Sequence, residues 1–230
     1  MESNLISICI PCYEMSGKGI QRIEQLIRSI CYQNYSNFEI IISDHSVDDN
    51  IFNATKSFEF EKLNITYIKN DYKRGSSSAN INSALKLAKG DIIKIMFQDD
   101  FFINNNALNI ISNNSSTWGV CGCVHSLEDN AVFYNRLIPF WQDDIKKGVN
   151  TVGGPSCLFF KKTDLMFDED LLWFMDTDFY YRMYQKYGTP SIIEDALYCS
   201  RESSTSVSNT LITNDLIERE TIIIKNKYDF

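Results

Sequence analysis

Residues 91–100 read Asp91-Ile92-Ile93-Lys94-Ile95-Met96-Phe97-Gln98-Asp99-Asp100. A short apolar run that breaks off into polar residues is the pattern of a buried strand with its last side chains at a sheet edge. Just upstream, residues 78–89 (SANINSALKLAK) predict a helix, with Gly90 as its stop. Further back, Leu5–Pro11, Phe38–Asp44 and Asn64–Lys69 predict three more strands. Between the first two of these, Ile20, Ile23, Ile27, Ile30 and Cys31 fall on one face of a helix. Strands alternating with helices imply parallel pairing, with helices on both faces of the sheet. Ligands of such sheets sit beyond the carboxyl ends of the strands. The candidate site is therefore Pro11–Glu14, Asp44–Asp49 and Gln98–Asp100, three polar clusters that each end a strand.

The second half is less regular. Val120–Val124, Cys157–Lys161 and Ile192–Tyr198 predict strands, Asp176–Tyr187 a helix stopped by Gly188, and Asn214–Lys227 a closing helix. The Ser-rich stretch Ser200–Asn209 reads as a loop. The aromatic stretches Phe133–Trp141 and Leu171–Phe174 read mostly as core, with Trp173 kept as an acceptor contact.

Apolar residues make up 44% of the 230, enough for a real core. Lys and Arg number 22 against 30 Asp and Glu, a net charge of −8, which excludes the electrostatic footprint of a nucleic-acid binder. No run approaches the roughly 20 apolar residues of a membrane span, and the first residues lack a signal-peptide pattern, so the expected location is cytoplasmic. Seven cysteines, an odd number, fit a reducing compartment. Cys9 and Cys12 form a CxxC and Cys121 and Cys123 a CxC, but Cys9 lies inside a strand pattern and no second CxxC exists. Core thiols are expected there rather than zinc.

Three carboxylates carry the chemistry. Asp99 and Asp100 could bind Mn²⁺ or Mg²⁺ together with a diphosphate, although adjacent Asp residues are also common in turns. Asp44 could accept the N3–H of uracil or the N1 and N2 donors of guanine; an Asx-turn is the alternative. Asp176, beside aromatics at a helix start, could be a desolvated general base, or simply a helix cap.

These residues, in order, resemble glycosyltransferase family 2. The resemblance rests on Ile10-Pro11-Cys12-Tyr13-Glu14, Ile41-Ile42-Ser43-Asp44-His45-Ser46-Val47-Asp48-Asp49, Ala79-Asn80-Ile81-Asn82-Ser83-Ala84 and Gln98-Asp99-Asp100. The family's patterns are I-P-x-Y-N, V-D-D-G-S-T-D, A-R-N-x-A/G and D-x-D-D. The resemblance implies a GT-A fold: a three-layer α/β/α sandwich with a mostly parallel central sheet. All of 1–230 would be one domain, with 1–100 holding the nucleotide-sugar and 101–230 the acceptor. Pro11, Tyr13, Glu14, Asp44, Asn82, Gln98 and Asp99 would meet the donor; Lys73 or Arg74 would supply positive charge near its diphosphate, and Arg201 would contact the diphosphate or be a surface-loop Arg. Asp99 and Asp100 would hold the metal, and Asp176 would be the base of an inverting transfer. Gly154, Trp173 and Asp178 would meet a glycan or lipid-linked acceptor.

There are departures from the family pattern. Phe97 replaces the first Asp of D-x-D, Ile81 the Arg, Met175 the Glu before the base, and Ser203 the His of a C-terminal R-x-H-x-x-S-x-S. They leave a degenerate binding module as one rival. A sugar-phosphate nucleotidyltransferase is another, weakened because no Gly-rich basic loop follows the first strand. The apolar patch Ile222–Ile224 on the closing helix is read as core, with peripheral membrane association or a homodimer contact as alternatives.

Overall fold

The computed structural model describes residues 4–56, 63–127, 132–202 and 206–230. The strands are β1 (Ile6–Cys12), β2 (Phe38–Asp44), β3 (Ile65–Lys69), β4 (Ile92–Ile95), β5 (Phe101–Phe102), β6 (Trp118–Leu127), β7 (Phe133–Leu137), β8 (Leu158–Lys161) and β9 (Ser191–Glu202). The helices are α1 (Gly19–Cys31), α2 (Asn50–Thr55), α3 (Ser77–Leu87), α4 (Ala107–Ser112), α5 (Met175–Tyr187), α6 (Val207–Thr210) and α7 (Asn214–Tyr228).

β1 and β4 are buried along their whole length, and β2 at all but its first residue. A strand covered on both faces needs no polar alternation, which is why these segments read as unbroken apolar runs. They pair in parallel, Ile8 with Ile40 and Ile6 with Ile92, and β3 joins β2 in the same sense. α1 buries Ile23, Leu26, Ile27 and Ile30. Ile20 and Cys31, expected on that face, lie in its end turns and are exposed.

The sheet runs β3-β2-β1-β4-β8-β6-β9-β5, with β7 paired to β6. It is mixed rather than purely parallel, with the longest ladders parallel. β8 is antiparallel to both β4 and β6, as are β7 to β6 and β5 to β9; β6 and β9 are parallel. Parallel pairing needs a crossover connection, usually a helix. The regular strand–helix alternation stops after β4, and antiparallel pairing becomes available there.

Gly90 works differently from its expected role. α3 ends at Leu87 with Ala88 already extended. Gly90 is required two residues later, where a Cβ would lie 2.6 Å from the Ser7 nitrogen and 2.7 Å from the Leu5 oxygen. Gly188 does stop α5, at φ +82°.

Three further expectations change. β9 extends through Glu202 and α6 starts at Val207, so the Ser-rich stretch is only partly loop; Ser203 lies outside the described residues. Phe133 and Tyr134 are exposed because, among the described residues, β7 pairs only with β6 at the margin of the sheet; Ile138 and Phe140, past the end of β7, are exposed as well. Trp141 alone of that stretch's large aromatics turns inward, edge-on to Trp118 and against Tyr184. The closing helix buries Ile224 but exposes Ile222. Cys9, Cys12, Cys121 and Cys123 are core residues, and burial drives their thiols well up from their ordinary range. Among the described residues no helix is long and apolar enough to cross a membrane.

Candidate active site

The carboxyl ends of β1, β2 and β4 meet as the parallel pairing requires. Cys12 stands opposite Asp44, and the Met96 N–H donates to the Cys9 carbonyl at 3.0 Å. Asn80 from α3 stitches the floor: its amide donates to the Cys12 carbonyl at 3.1 Å and its oxygen accepts from Ser43 Oγ at 2.6 Å. Gln98 is buried and clamps the backbone of Tyr13, accepting from its N–H and donating to its carbonyl. Gln98 therefore fixes Tyr13 at the end of β1. Burial and then the charges of Asp99 and Glu14 push the Tyr13 phenol up, which sets these three side chains together. Pro11 is buried within β1.

Asp44 does not present a free acceptor to a base. One oxygen accepts from the Ser46 N–H at 2.8 Å and from the Ser46 hydroxyl, and the other from the Tyr67 hydroxyl at 2.6 Å. Its side chain is fully enclosed, with Lys69 Nζ 3.9 Å away. Its next neighbour, His45, stands where the family pattern has Gly. His45 Nδ1 accepts from the Gly75 N–H at 3.3 Å. Burial lowers the pKa of this imidazole, keeping it neutral. Arg74 is exposed and paired with Asp71.

Asn82 is also committed elsewhere. Its amide donates to the Phe167 carbonyl at 2.9 Å and to Glu169, and its oxygen accepts from the Phe167 N–H. It ties α3 to the segment before α5 rather than reaching a ligand.

Asp99 and Asp100 form the turn from β4 to β5. Burial pushes both carboxyls up, and the charge of Asp99 pushes Asp100 further. Arg22 offsets this in part for Asp99. A divalent cation would relieve this cost, and two hard carboxylates suit Mn²⁺ or Mg²⁺ that completes its shell with phosphate and water. Among the described residues no group of three His, Cys, Asp or Glu could hold a metal, so the ion would depend on those outside ligands. The two carboxylates are not equivalent. Asp100 Oδ1 accepts from the Arg201 N–H at 3.1 Å, and the Ser156 and Ser200 hydroxyls bond its side chain. Asp99 is the more open of the two. Arg201 spends its guanidinium on the Asp99 carbonyl at 3.2 Å and on Gln25 at 2.6 Å, and lies over the Phe101 ring. It braces the Asp99–Asp100 turn.

Asp176 sits in the first turn of α5. Oδ2 accepts from Asn150 Nδ2 at 2.8 Å and Oδ1 from the Thr177 N–H at 2.7 Å. Burial pushes its carboxyl up to about 6. Asn150 also donates to the Gly153 carbonyl, which accepts from the Tyr180 hydroxyl as well. Ser156, three residues on, accepts from the Phe97 N–H at 2.9 Å and bonds Asp100. The turn at 153–156, with Gly154 exposed in it, therefore links the Asp176 site to the Asp99 site. Trp173 is 40% exposed. Asp178, expected to face the acceptor, is instead enclosed by Arg182 at 2.7 Å, Lys227 at 2.6 Å and the Tyr228 hydroxyl. It fastens α7.

A family model described as glycosyl transferase family 2 matches residues 7–158. This chain belongs to glycosyl transferase family 2. Its fold is the GT-A type. An Escherichia coli relative, the UDP-Glc:alpha-D-GlcNAc-diphosphoundecaprenol beta-1,3-glucosyltransferase WfgD, is 33% identical over 105 residues, 46% of this chain and 39% of that one. This chain thus spans well under half the length of that relative. The crystal structure of Staphylococcus aureus TarS 1–349 in complex with UDP-GlcNAc superposes with a TM-score of 0.72 at 17% identity, over 98% of this chain and 67% of that one. The mannosyltransferase PcManGT from Pyrobaculum calidifontis, in complex with GDP-Man and Mn²⁺, gives 0.64 at 16% identity, over 87% and 57%.

The family pattern does not point to Asn150, Ser156 or Tyr67. Asn150 lies 26 residues from its partner Asp176 in a stretch without periodicity, so no local signal marks it. His45 could have been found, since a bulky imidazole in place of Gly at a strand end is a visible departure.

Proposed function

We propose that this chain transfers a sugar from a UDP-sugar to a hydroxyl of a glycan or lipid-linked acceptor, with inversion at the anomeric carbon. The observation that carries this reading is Asp176: a carboxyl pushed up to about 6 by burial, joined through the 153–156 turn to the Asp99–Asp100 pair. A base of this strength is ionised at neutral pH yet takes a proton readily. Asp176 accepts the proton of the acceptor hydroxyl as its oxygen bonds to the anomeric carbon. The bond from that carbon to the diphosphate breaks on the opposite face, and UDP leaves with the electron pair. Asn150 holds the base, and Trp173 and Gly154 border the acceptor side. Asp99, with Asp100 behind it, would hold Mn²⁺ or Mg²⁺, and that ion would neutralise the charge developing on the diphosphate. Residues 1–100 supply most of the donor pocket, and 101–230 the base and the acceptor side.

The E. coli relative's name specifies UDP-Glc and a diphosphoundecaprenol-linked acceptor, and TarS was solved with UDP-GlcNAc. These favour a uridine donor and an acceptor at the inner face of the cell membrane, where the chain would associate peripherally. The test is nucleotide release from UDP-Glc, UDP-GlcNAc and GDP-Man, with Mn²⁺ or with EDTA. Mn²⁺-dependent UDP release, lost in Asp99→Ala and Asp176→Asn, is the expected result. No nucleotide release and no Mn²⁺-dependent thermal shift with any of the three donors would overturn the reading and leave a binding module.

A further inference from the structure

We propose that Glu220 of α7 is a positioning residue for the base: its carboxylate caps the entry of α5 from another helix and fixes the turn that carries Asp176. The inference rests on Asp176 being that base.

Glu220 is completely buried. A carboxylate there is tolerated only if its oxygens are satisfied. One oxygen accepts from the Leu172 N–H at 2.8 Å; the other accepts from the N–H groups of Trp173 at 2.9 Å and Phe174 at 3.0 Å. The chain entering a helix carries backbone donors without intrahelical partners, and negative charge is favoured at that end. α5 has no cap of its own, because its N-cap residue is Phe174, whose side chain accepts nothing. Glu220 supplies the missing acceptor over 46 residues of intervening sequence.

The same helix grips the next stretch. Lys227 Nζ lies 2.6 Å from Asp178 Oδ1 and 2.7 Å from Asp168 Oδ2, and the Tyr228 hydroxyl donates to Asp178. α7 thus holds the chain on both sides of Asp176, at 172–174 and at 178. The family model ends at residue 158, so nothing in that match assigns α7 a role.

Glu220 reaches Asp176 through the backbone rather than through charge. Burial, the N–H groups of Thr177 and of Asp176 itself, and the Asn150 amide set the Asp176 acidity. The titratable group that responds to Asp176 is the Tyr180 phenol, one turn along α5. A change in Asp176 titration on altering Glu220 therefore reports movement of the turn.

The experiment is an NMR titration of the Asp176 carboxyl in wild type and Glu220→Gln, with backbone amide exchange on both. The Gln amide keeps one acceptor oxygen and sets its NH₂ against backbone donors. The wild-type midpoint is expected at about 6. In Glu220→Gln it should fall by about half a unit or more, because a loosened turn admits water. The 172–174 amides should exchange about tenfold faster with the β1 amides unchanged. For UDP release from a UDP-sugar, kcat should fall about tenfold with donor KM unchanged. A folded Glu220→Gln with the wild-type midpoint and kcat overturns the inference. If Glu220→Gln does not fold, Glu220→Asp, one methylene shorter, is measured in the same way and judged by the same outcomes. Asp176→Asn separates the two readings. If it retains UDP release, the base assignment fails and this inference with it. If it is inactive while Glu220→Gln is normal, only this inference fails.

Discussion

Replacing Asp176 with Asn should stabilise the protein at pH 8 while removing its activity. Burial pushes the Asp176 carboxyl from 3.8 up to about 6. Each pKa unit is worth about 1.4 kcal/mol, so holding Asp176 ionised costs the folded state about 3 kcal/mol at pH 8. The folded-state pKa lies above the unfolded one, so the folded chain binds the proton more tightly. Stability from this group therefore rises as pH falls from above 6 towards 4, the reverse of a salt-bridged Asp. Asn cannot ionise and escapes this cost at every pH. It keeps one acceptor oxygen where Asp176 uses two, for Asn150 and for the Thr177 N–H. Losing one such bond costs about 1 kcal/mol. The net expectation is a gain of about 2 kcal/mol at pH 8 that vanishes or slightly reverses at pH 4. Equilibrium urea unfolding of both proteins at the two pH values measures it. An Asn-minus-Asp difference equal at pH 8 and pH 4 would refute the half-buried, raised carboxyl on which the base assignment rests.

Catalysis should follow the same group: wild-type UDP release should decline as pH drops through about 6, where Asp176 takes up its proton. Asn150→Ala removes a hydrogen bond that lowers the Asp176 pKa, so the acidic limb of that profile should move to higher pH; a stationary limb argues against the pair. Asp99→Ala should abolish the Mn²⁺-dependent part of the thermal shift seen with UDP yet leave a folded protein, since it also relieves the charge pressing on Asp100. Arg201→Ala removes the brace to the Asp99 carbonyl and Gln25, and should destabilise by about 1–3 kcal/mol in urea unfolding while raising donor KM.

Where local pattern decides, the sequence read correctly. Phe38–Asp44 is a strand with those boundaries, and Asp176–Tyr187 lies within α5 one residue from its start. Apolar runs and helical periodicity are set by neighbours within a turn or two, so they survive without knowledge of the fold. What the local pattern does not carry is set by distant partners. Asn82 is used up by Phe167, 85 residues away, and Arg201 by Asp99, 102 residues away. Asp44 is enclosed by Tyr67 and Asp178 by Lys227, neither of which any spacing announces. β7 carries core-like aromatics, but its position at the sheet margin exposes them, and edge position is a property of the whole sheet.

The mixed strand order also fixes when the Asp99–Asp100 turn can form. β4 finds its second neighbour only in β8, and β5 finds its partner only in β9, which also brings the Arg201 N–H to Asp100. Synthesis at about 5–20 residues per second means about 5–20 s pass between emergence of Asp100 and of Arg201. For the first part of that interval, until β8 emerges, one edge of β4 is unpaired, a template for another chain; for all of it, Asp100 lacks the Arg201 N–H. Residues 1–100, read as the more regular part of the sequence, are therefore the part that must wait for the ribosome to reach the irregular one.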